Sequence, residues 1–85
     1  MVRCYTLVRV KPPRDKAVYW KIKDLPEVKE AIMTYGEYDL IVEIEVNSLD
    51  DLDFFIFNKL RKIEGVEATT TLIAANPPNV KRENS

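Results

Sequence analysis

The order of strand-like and helix-like segments is the feature that most restricts how this chain can fold. Four segments are rich in β-branched residues, and two others carry apolar residues at the three- and four-residue spacing of a helix face. Prolines and two glycines separate these segments. The resulting order, β-α-β-β-α-β, is typical of the ferredoxin-like α+β fold. We therefore predict a four-stranded antiparallel sheet with two helices on one face, occupying residues 1–75.

Turn and cap residues set the boundaries of the predicted elements. Pro12 ends the first strand because proline cannot donate to a strand ladder, and Pro26 ends the first helix. Gly36-Glu37 is predicted to form the turn of a hairpin. Residues 76–85 (NPPNVKRENS) are polar and rich in proline, so we predict a flexible tail there. The predicted strands cover residues 2–10, 27–35, 38–46 and 66–75, and the predicted helices cover about residues 14–25 and 49–64.

The second helix has the clearest signals. Ser48 and Asp51 form an S-x-x-D capping signature, and Gly65 is placed to end the helix. The residues predicted to form its buried stripe are Leu49, Leu52, Ile56, Leu60 and Ile63. Phe54 points away from that stripe, so Phe54 and Trp20 are candidates for contacts with another subunit or protein. The alternative is that both rings lie flat on their own surface.

The sheet face turned away from the helices is predicted to be apolar. Alternation along the strands turns one aliphatic set towards the helices and leaves on the far face Tyr5, Leu7, Met33, Ile41 and Ile73. An exposed apolar patch of this size usually marks an interface. We therefore expect a homodimer formed through the open sheet face. The alternative is a monomer with a modestly apolar, hydrated face.

Composition and charge argue against several kinds of function. The net charge of −1 at pH 7 provides no basic excess for nucleic acid, and no apolar run reaches the roughly 18–20 residues of a membrane span. A strand-like pattern from the first residues leaves no signal peptide. Cys4 is the single cysteine and the chain has no histidine, so we expect no disulfide, no metal site and no activated nucleophile. We expect a cytoplasmic protein without a cofactor.

One long segment resembles the effector-binding domain of the Lrp/AsnC family, the feast/famine transcriptional regulators, which is known as the RAM domain. The segment is LPEVKEAIMTYGEYDLIVEIEVNSLDDLDFFIFNKLRKIEGVEATTTLIA. Its motifs are L-P-E-V before the second strand, G-x-Y-D in the hairpin, S-x-x-D-L at the helix start and G-V-x-x-T-x-T in the last strand. The resemblance also includes the first strand and helix. It implies the fold derived above, pairing of sheet to sheet, and further assembly, often into octamers.

Full-length members of that family carry a helix-turn-helix domain before this module. Here the family-like first strand begins at Met1-Val2, so the chain resembles a stand-alone version of the effector-binding domain. On that basis we expect no direct binding to DNA.

The resemblance implies where an effector binds. In the family, small molecules, typically amino acids, bind where neighbouring dimers meet, around the hairpin and the last strand. The corresponding ligand-binding residues are Gly36, Tyr38, Asp39, Thr69, Thr71, Leu72 and Ile73. A carboxylate suits a ligand ammonium, and a glycine permits close approach of the backbone. From the residues alone, the alternative is that Gly36 only supplies a positive φ, that Asp39 caps a local amide, and that the threonines are ordinary strand formers.

Two functional hypotheses follow. The first is a non-enzymatic amino-acid-binding and oligomerisation module that modulates full-length Lrp/AsnC regulators through mixed assembly. The second is a small dimeric ferredoxin-like barrel enzyme of the monooxygenase type, but such enzymes turn histidine, tyrosine or arginine into a cleft that is aliphatic here. Glu43 and Glu45 share a strand face and form a possible acid/base pair, although pairing with Arg3 and Arg9 across the sheet is the simpler prediction. We favour the first hypothesis and expect no catalytic residues.

Overall fold

Four strands and two helices follow one another in the order β-α-β-β-α-β in the computed structural model, which describes residues 1–75. This confirms the predicted fold class and element order. The predicted tail at residues 76–85 lies outside the described residues. The elements are β1 (Val2–Val10), α1 (Asp15–Lys23), β2 (Val28–Met33), β3 (Leu40–Val46), α2 (Leu49–Phe55), which continues into a π-helical segment (Ile56–Leu60), and β4 (Val66–Ile73).

The sheet has the strand order β2-β3-β1-β4, and all of its pairings are antiparallel. β1 is therefore a central strand, flanked by β3 and β4. Thr6 in β1 stands opposite Val42 in β3 and Thr71 in β4. The hairpin between β2 and β3 and the edge strand β4 consequently lie on opposite sides of β1.

The core lies between the helices and one face of the sheet. Side chains of alternate residues in β1 and β3 are buried against the helices, as the alternation predicts. Phe55 is fully buried, whereas Leu49, which we predicted to belong to the buried stripe, is 56% exposed because it lies in the first turn, at the rim of the core. The fully buried side chains are Cys4, Thr6, Val8, Val18, Ile22, Leu40, Val42, Ile44, Phe55 and Leu60.

Two residues predicted for the open face lie on the other side of the sheet. Met33 pairs with Leu40, and Ile73 pairs with Cys4, so both belong to the face that carries the helices. Each edge strand contains one register irregularity, and a single irregularity reverses the alternation of the residues beyond it. The apolar centre of the open face is therefore formed by Tyr5, Leu7, Ile32, Ile41 and Leu72.

The capping residue of α2 acts as predicted, whereas Gly65 does not end the helix, because the helical segment ends at Leu60 with Arg61 as its C-cap. Ser48 Oγ accepts a hydrogen bond from the Asp51 N–H at 3.1 Å, which caps the start of α2. Gly65 has a φ of 103°, and a Cβ at that position would lie 2.9 Å from Cγ2 of Val18. Gly65 thus allows both the left-handed turn before β4 and the close approach of α1.

Candidate functional site

The turn between β2 and β3 is closed by its own hydrogen bonds. The Thr34 N–H donates to the Asp39 carbonyl at 2.9 Å, and the Thr34 hydroxyl donates to the Tyr38 carbonyl at 2.8 Å. Gly36 has a φ of 118° with no atom within 4 Å of the place of a Cβ. Because these contacts use residues 34–39, β2 ends earlier than the sequence predicted, at Met33, and β3 begins later, at Leu40.

Asp39 joins this turn to the central strand. Its N–H donates to the Val8 carbonyl at 2.8 Å, and its carboxylate Oδ2 accepts from the Val10 N–H at 2.7 Å. The carboxylate therefore caps an amide that is 29 residues away in the sequence, whereas the alternative left open from the sequence was a cap of a local amide. The same contacts hold the carboxylate in one orientation at the end of the sheet.

Tyr38 reaches across the open face towards β4. Its hydroxyl lies 3.2 Å from Oγ1 of Thr70, and the Arg9 guanidinium lies 5.4 Å from the centroid of its ring. Arg9 also donates to the Glu37 carbonyl at 3.3 Å and lies 3.9 Å from the Glu37 carboxylate. These contacts fix the side of the turn that faces the open sheet, although an exposed ion pair of this length adds little stability.

A cavity of about 410 Å³ lies beside the turn on the side that carries the helices. Its lining residues are Asp15, Met33, Thr34, Tyr35 and Asp39. The lining thus combines two carboxylates and a hydroxyl with a methionine and a tyrosine. Such a lining suits a small ligand that carries a cationic group and an apolar portion, because carboxylates accept charge-assisted hydrogen bonds.

The four site residues predicted on β4 do not line this cavity. Thr69, Thr71 and Ile73 pair with Val8, Thr6 and Cys4 on the face that carries the helices, and Thr71 Oγ1 lies 3.1 Å from Oγ1 of Thr6. Leu72 pairs with Tyr5 on the open face and is 53% exposed. Because β1 separates these residues from the turn, one chain does not bring all seven predicted residues together.

Four residues of this region were missed from the sequence: Arg9, Asp15, Thr34 and Thr70. The strand register could have identified Arg9 and Thr70. Arg9 is the last residue of β1 on the open face, and Thr70 lies between Thr69 and Thr71, so its side chain is on the open face as well. Asp15 and Thr34 had no such signal. Asp15 reaches the cavity because α1 begins beside the turn, which is a consequence of tertiary packing.

Among residues 1–75, no group of three or more histidine, cysteine or acidic side chains is arranged to hold a metal ion. No helix in that range is long and apolar enough to cross a membrane. Burial raises the pKa of the Cys4 thiol above its ordinary value, and a hydrogen bond from Thr6 offsets part of that rise. The protonated thiol is a poor nucleophile.

Comparison with known proteins identifies related sequences. The family model for the Lrp/AsnC ligand binding domain matches residues 3–83. Regulatory protein AsnC of Escherichia coli (strain K12) is 31% identical over 78 residues, which are 91% of this chain and 51% of that protein. The chain spans about half the length of the curated relatives it matches.

Solved structures also share the fold. The crystal structure of FFRP-DM1 is 44% identical with a TM-score of 0.86, and the match covers 88% of this chain and all of that one. The hypothetical protein PHS023 from Pyrococcus horikoshii is 40% identical with a TM-score of 0.84, covering 98% of this chain and 100% of that one. A more distant likeness is the transcriptional regulator NMB0573 from Neisseria meningitidis, solved as a complex with L-Met. At 16% identity, with a TM-score of 0.79 over 99% of this chain and 55% of that one, it indicates the fold alone.

Proposed function

This chain belongs to the Lrp/AsnC ligand-binding domain family, and on that premise we propose that it binds a small-molecule effector, an amino acid, and assembles with copies of itself. Its curated relatives are transcriptional regulators. The comparisons give no support to the alternative of a ferredoxin-like barrel monooxygenase. The role that we propose is therefore regulatory and non-enzymatic.

The observation that carries the proposal is the cavity of about 410 Å³ beside the turn, with Asp39 in its wall. An amino acid has an ammonium and a carboxylate on one carbon, so its site needs acidic acceptors close to hydrogen-bond donors. Asp39 and Asp15 supply the acceptors, and Thr34 supplies a hydroxyl. Because Asp39 is already held by the Val10 N–H, its carboxylate is oriented before a ligand arrives, which lowers the entropic cost of binding.

We further propose that a neighbouring subunit completes the site. The predicted residues on β4 lie on an edge strand, away from the turn of their own chain. An edge strand is free to approach another subunit, and the family binds its effectors where neighbouring dimers meet. Gly36 and Tyr38 of one subunit would then face Thr69, Thr71, Leu72 and Ile73 of the next, in an assembly such as an octamer.

The apolar centre of the open face supports pairing of two sheets. Ile32 and Leu72 are 47% and 53% exposed in the single chain. Burying such side chains contributes about 25 cal/mol per Å² of apolar area removed from water. A full-length regulator of the family would present a sheet of the same kind, so mixed assembly in the cytoplasm is the route by which this module would modulate transcription without contacting DNA itself.

A thermal-shift screen against the twenty amino acids tests the proposed ligand class, with methionine included because a protein of this fold was solved with it. A ligand that binds only the native state raises the unfolding midpoint, and a concentration 100 times the Kd adds about 2.7 kcal/mol of stability. We expect at least one amino acid to raise the midpoint in a concentration-dependent manner. If none does at millimolar concentration, the proposed ligand class is wrong.

A further inference from the structure

The cavity beside the turn has acidic side chains in its wall and no basic ones. Among the lining residues that the structure describes, Asp15 and Asp39 are acidic, and the others are Met33, Thr34 and Tyr35. We call Asp15 and Asp39 the cavity carboxylates. Both are partly buried in the single chain. The wall of the cavity is therefore negatively charged before a ligand binds, and the charge of the ligand has to match it.

Basic residues close to the cavity carboxylates are engaged elsewhere. Arg14, directly before Asp15 in the sequence, lies 2.8 Å from Glu64. Arg9, between the two β1 residues that Asp39 contacts, lies 3.9 Å from Glu37. Within residues 1–75, the ion pairs include neither cavity carboxylate. A ligand in the cavity must consequently bring its own positive charges.

An amino acid with a neutral side chain has one positive group too few for this cavity. Its ammonium can pair with one of the cavity carboxylates, but its own carboxylate adds a further negative charge. Binding would then remove the other cavity carboxylate from water without giving it an opposite charge, which is unfavourable. A ligand with two cationic groups would instead give each cavity carboxylate a charge-assisted hydrogen bond.

We propose that the effector carries two cationic groups joined by an aliphatic chain, as lysine, ornithine and arginine do. This inference rests on the proposed function and adds the charge class of the ligand. Asp39, which the Val10 N–H holds at 2.7 Å, would bind the α-ammonium, and Asp15, the first residue of α1, would bind the distal cation. The carboxylate of the ligand is left to the neighbouring subunit that completes the proposed site.

The apolar part of the lining suits the chain between the two cations. Met33 and Tyr35 both line the cavity and are exposed in the single chain, so a ligand can cover them. A methionine side chain adapts to irregular apolar shapes, and the face of a tyrosine ring attracts cations. The cavity volume of about 410 Å³ falls within the roughly 300–1,000 Å³ that is usual for small-molecule sites.

Asp15 also has a structural role that does not depend on a ligand. A carboxylate in the first turn of a helix is stabilising because it lies near the positive end of the helix dipole. That role affects the stability of α1, but it does not make the protein prefer one ligand to another. The test of this inference therefore measures selectivity among ligands.

Isothermal calorimetry on the parent protein measures this selectivity without any variant. Norleucine has the α-carbon and aliphatic chain of lysine but lacks the distal ammonium, glutamate has a distal carboxylate, and cadaverine is lysine without its carboxylate. We expect the best of lysine, ornithine and arginine to bind at least about tenfold more tightly than norleucine, a difference of about 1.4 kcal/mol. Glutamate should bind most weakly.

Two substitutions then assign the cations. Asp15→Asn should reduce the affinity for the dibasic amino acid about tenfold and the affinity for norleucine much less, so the ratio of the two should fall towards one. Asp39→Asn should weaken the binding of both ligands. Asp24→Asn is the matched control, because it makes the same change of charge at the exposed end of α1, outside the cavity, and should keep the ratio of the parent. Circular dichroism checks that each variant is folded.

The outcomes separate this inference from the proposed function. A neutral or acidic amino acid that binds as tightly as the best dibasic one overturns the inference and leaves the proposed amino-acid ligand standing. Cadaverine that binds when no amino acid does supports a site for two cations and overturns the amino-acid class. If none of the ligands binds, both proposals are wrong. A preference for the dibasic amino acid that is as large in Asp15→Asn as in the parent overturns the role of Asp15.

Discussion

Asp39 has a structural contact and a proposed ligand contact that one substitution can separate. Its Oδ2 accepts the Val10 N–H at 2.7 Å, and the side chain lines the cavity beside the turn. An asparagine keeps one acceptor oxygen, so Asp39→Asn should retain the contact with Val10 while losing the negative charge. A charge-assisted hydrogen bond is worth roughly 1.5–3 kcal/mol. We expect the variant to fold and to bind the best amino acid of the screen about 10- to 150-fold more weakly.

Isothermal calorimetry checks this prediction, with circular dichroism as the test of folding. Asp24→Asn is the control, because Asp24 is exposed at the end of α1 and does not line the cavity. Asp15→Asn removes the second carboxylate of the same cavity and should also weaken binding. Unchanged affinity in the Asp39→Asn and Asp15→Asn variants would mean that the ligand is bound elsewhere.

Cys4 should make stability depend on pH in the alkaline range. Burial raises the pKa of the Cys4 thiol in the folded state above that of an exposed thiol, which is about 8.5. The unfolded chain then loses the proton first, so the free energy of unfolding is at its full value below about pH 8.5 and falls as the pH rises towards the folded-state pKa. The fall contributed by this group approaches 1.4 kcal/mol per pH unit.

Denaturant titrations between about pH 7 and 10 measure this effect. Tyrosines and lysines titrate in the same range, so the comparison is between the parent and Cys4→Ala. The difference in stability between the two proteins should shrink as the pH rises. A constant difference would show that the Cys4 pKa is the same in both states.

At the scale of elements, the sequence correctly predicted the type and order of the helices and strands. It was less successful in predicting which face of the sheet each side chain occupies. The capping signature of α2 and the prolines around α1 are local signals, and both are confirmed. Met33 and Ile73 were assigned to the wrong face of the sheet. Each edge strand has a register irregularity that reverses the alternation, and the position of that irregularity was not known from the sequence. Phe55 was not recognised as a core residue, although it lies three residues after Leu52 at ordinary helical spacing; the predicted stripe used Leu52 and Ile56 and omitted the position directly before Ile56.

The candidate site could be predicted only in part, for a similar reason. The turn at residues 34–39 and its aspartate follow from local sequence. The cavity depends on how α1 is placed against the turn, and the β4 residues depend on subunits beyond the single chain. A local pattern contains neither kind of information.

The two glycines offer a matched test of what each turn requires. Both have positive φ, so alanine is strained at either position, by roughly 1–3 kcal/mol. At Gly36 the new methyl group meets nothing within 4 Å, whereas at Gly65 it would lie 2.9 Å from Cγ2 of Val18 and 3.1 Å from Cβ of Arg14. Overpacking of this kind adds about 1–3 kcal/mol. Gly65→Ala should therefore destabilise the protein more than Gly36→Ala, as measured by urea denaturation, and equal effects would mean that α1 moves away freely.

At the scale of the whole molecule, an 85-residue chain has a limited core, so burial of further apolar surface against a partner would add to its stability. The apolar centre of the open face is a surface that a partner could bury, and its five residues come from all four strands. The curated relatives are about twice as long as this chain. Self-association can be tested directly on this chain.

Ile41→Asp should abolish association through the open face. Ile41 lies at the middle of that face, opposite both Leu7 and Ile32, so an aspartate there would bury an unpaired charge in each copy at a cost of several kcal/mol. Leu49→Asp is the matched control, because Leu49 is an aliphatic residue that is 56% exposed at the start of α2, away from the open face. Light scattering should give a smaller species for Ile41→Asp and the parent oligomer for Leu49→Asp, with both variants folded by circular dichroism. An Ile41→Asp variant that keeps the mass of the parent oligomer would exclude the open face as the interface, and loss of the oligomer in the control would point to the helices instead.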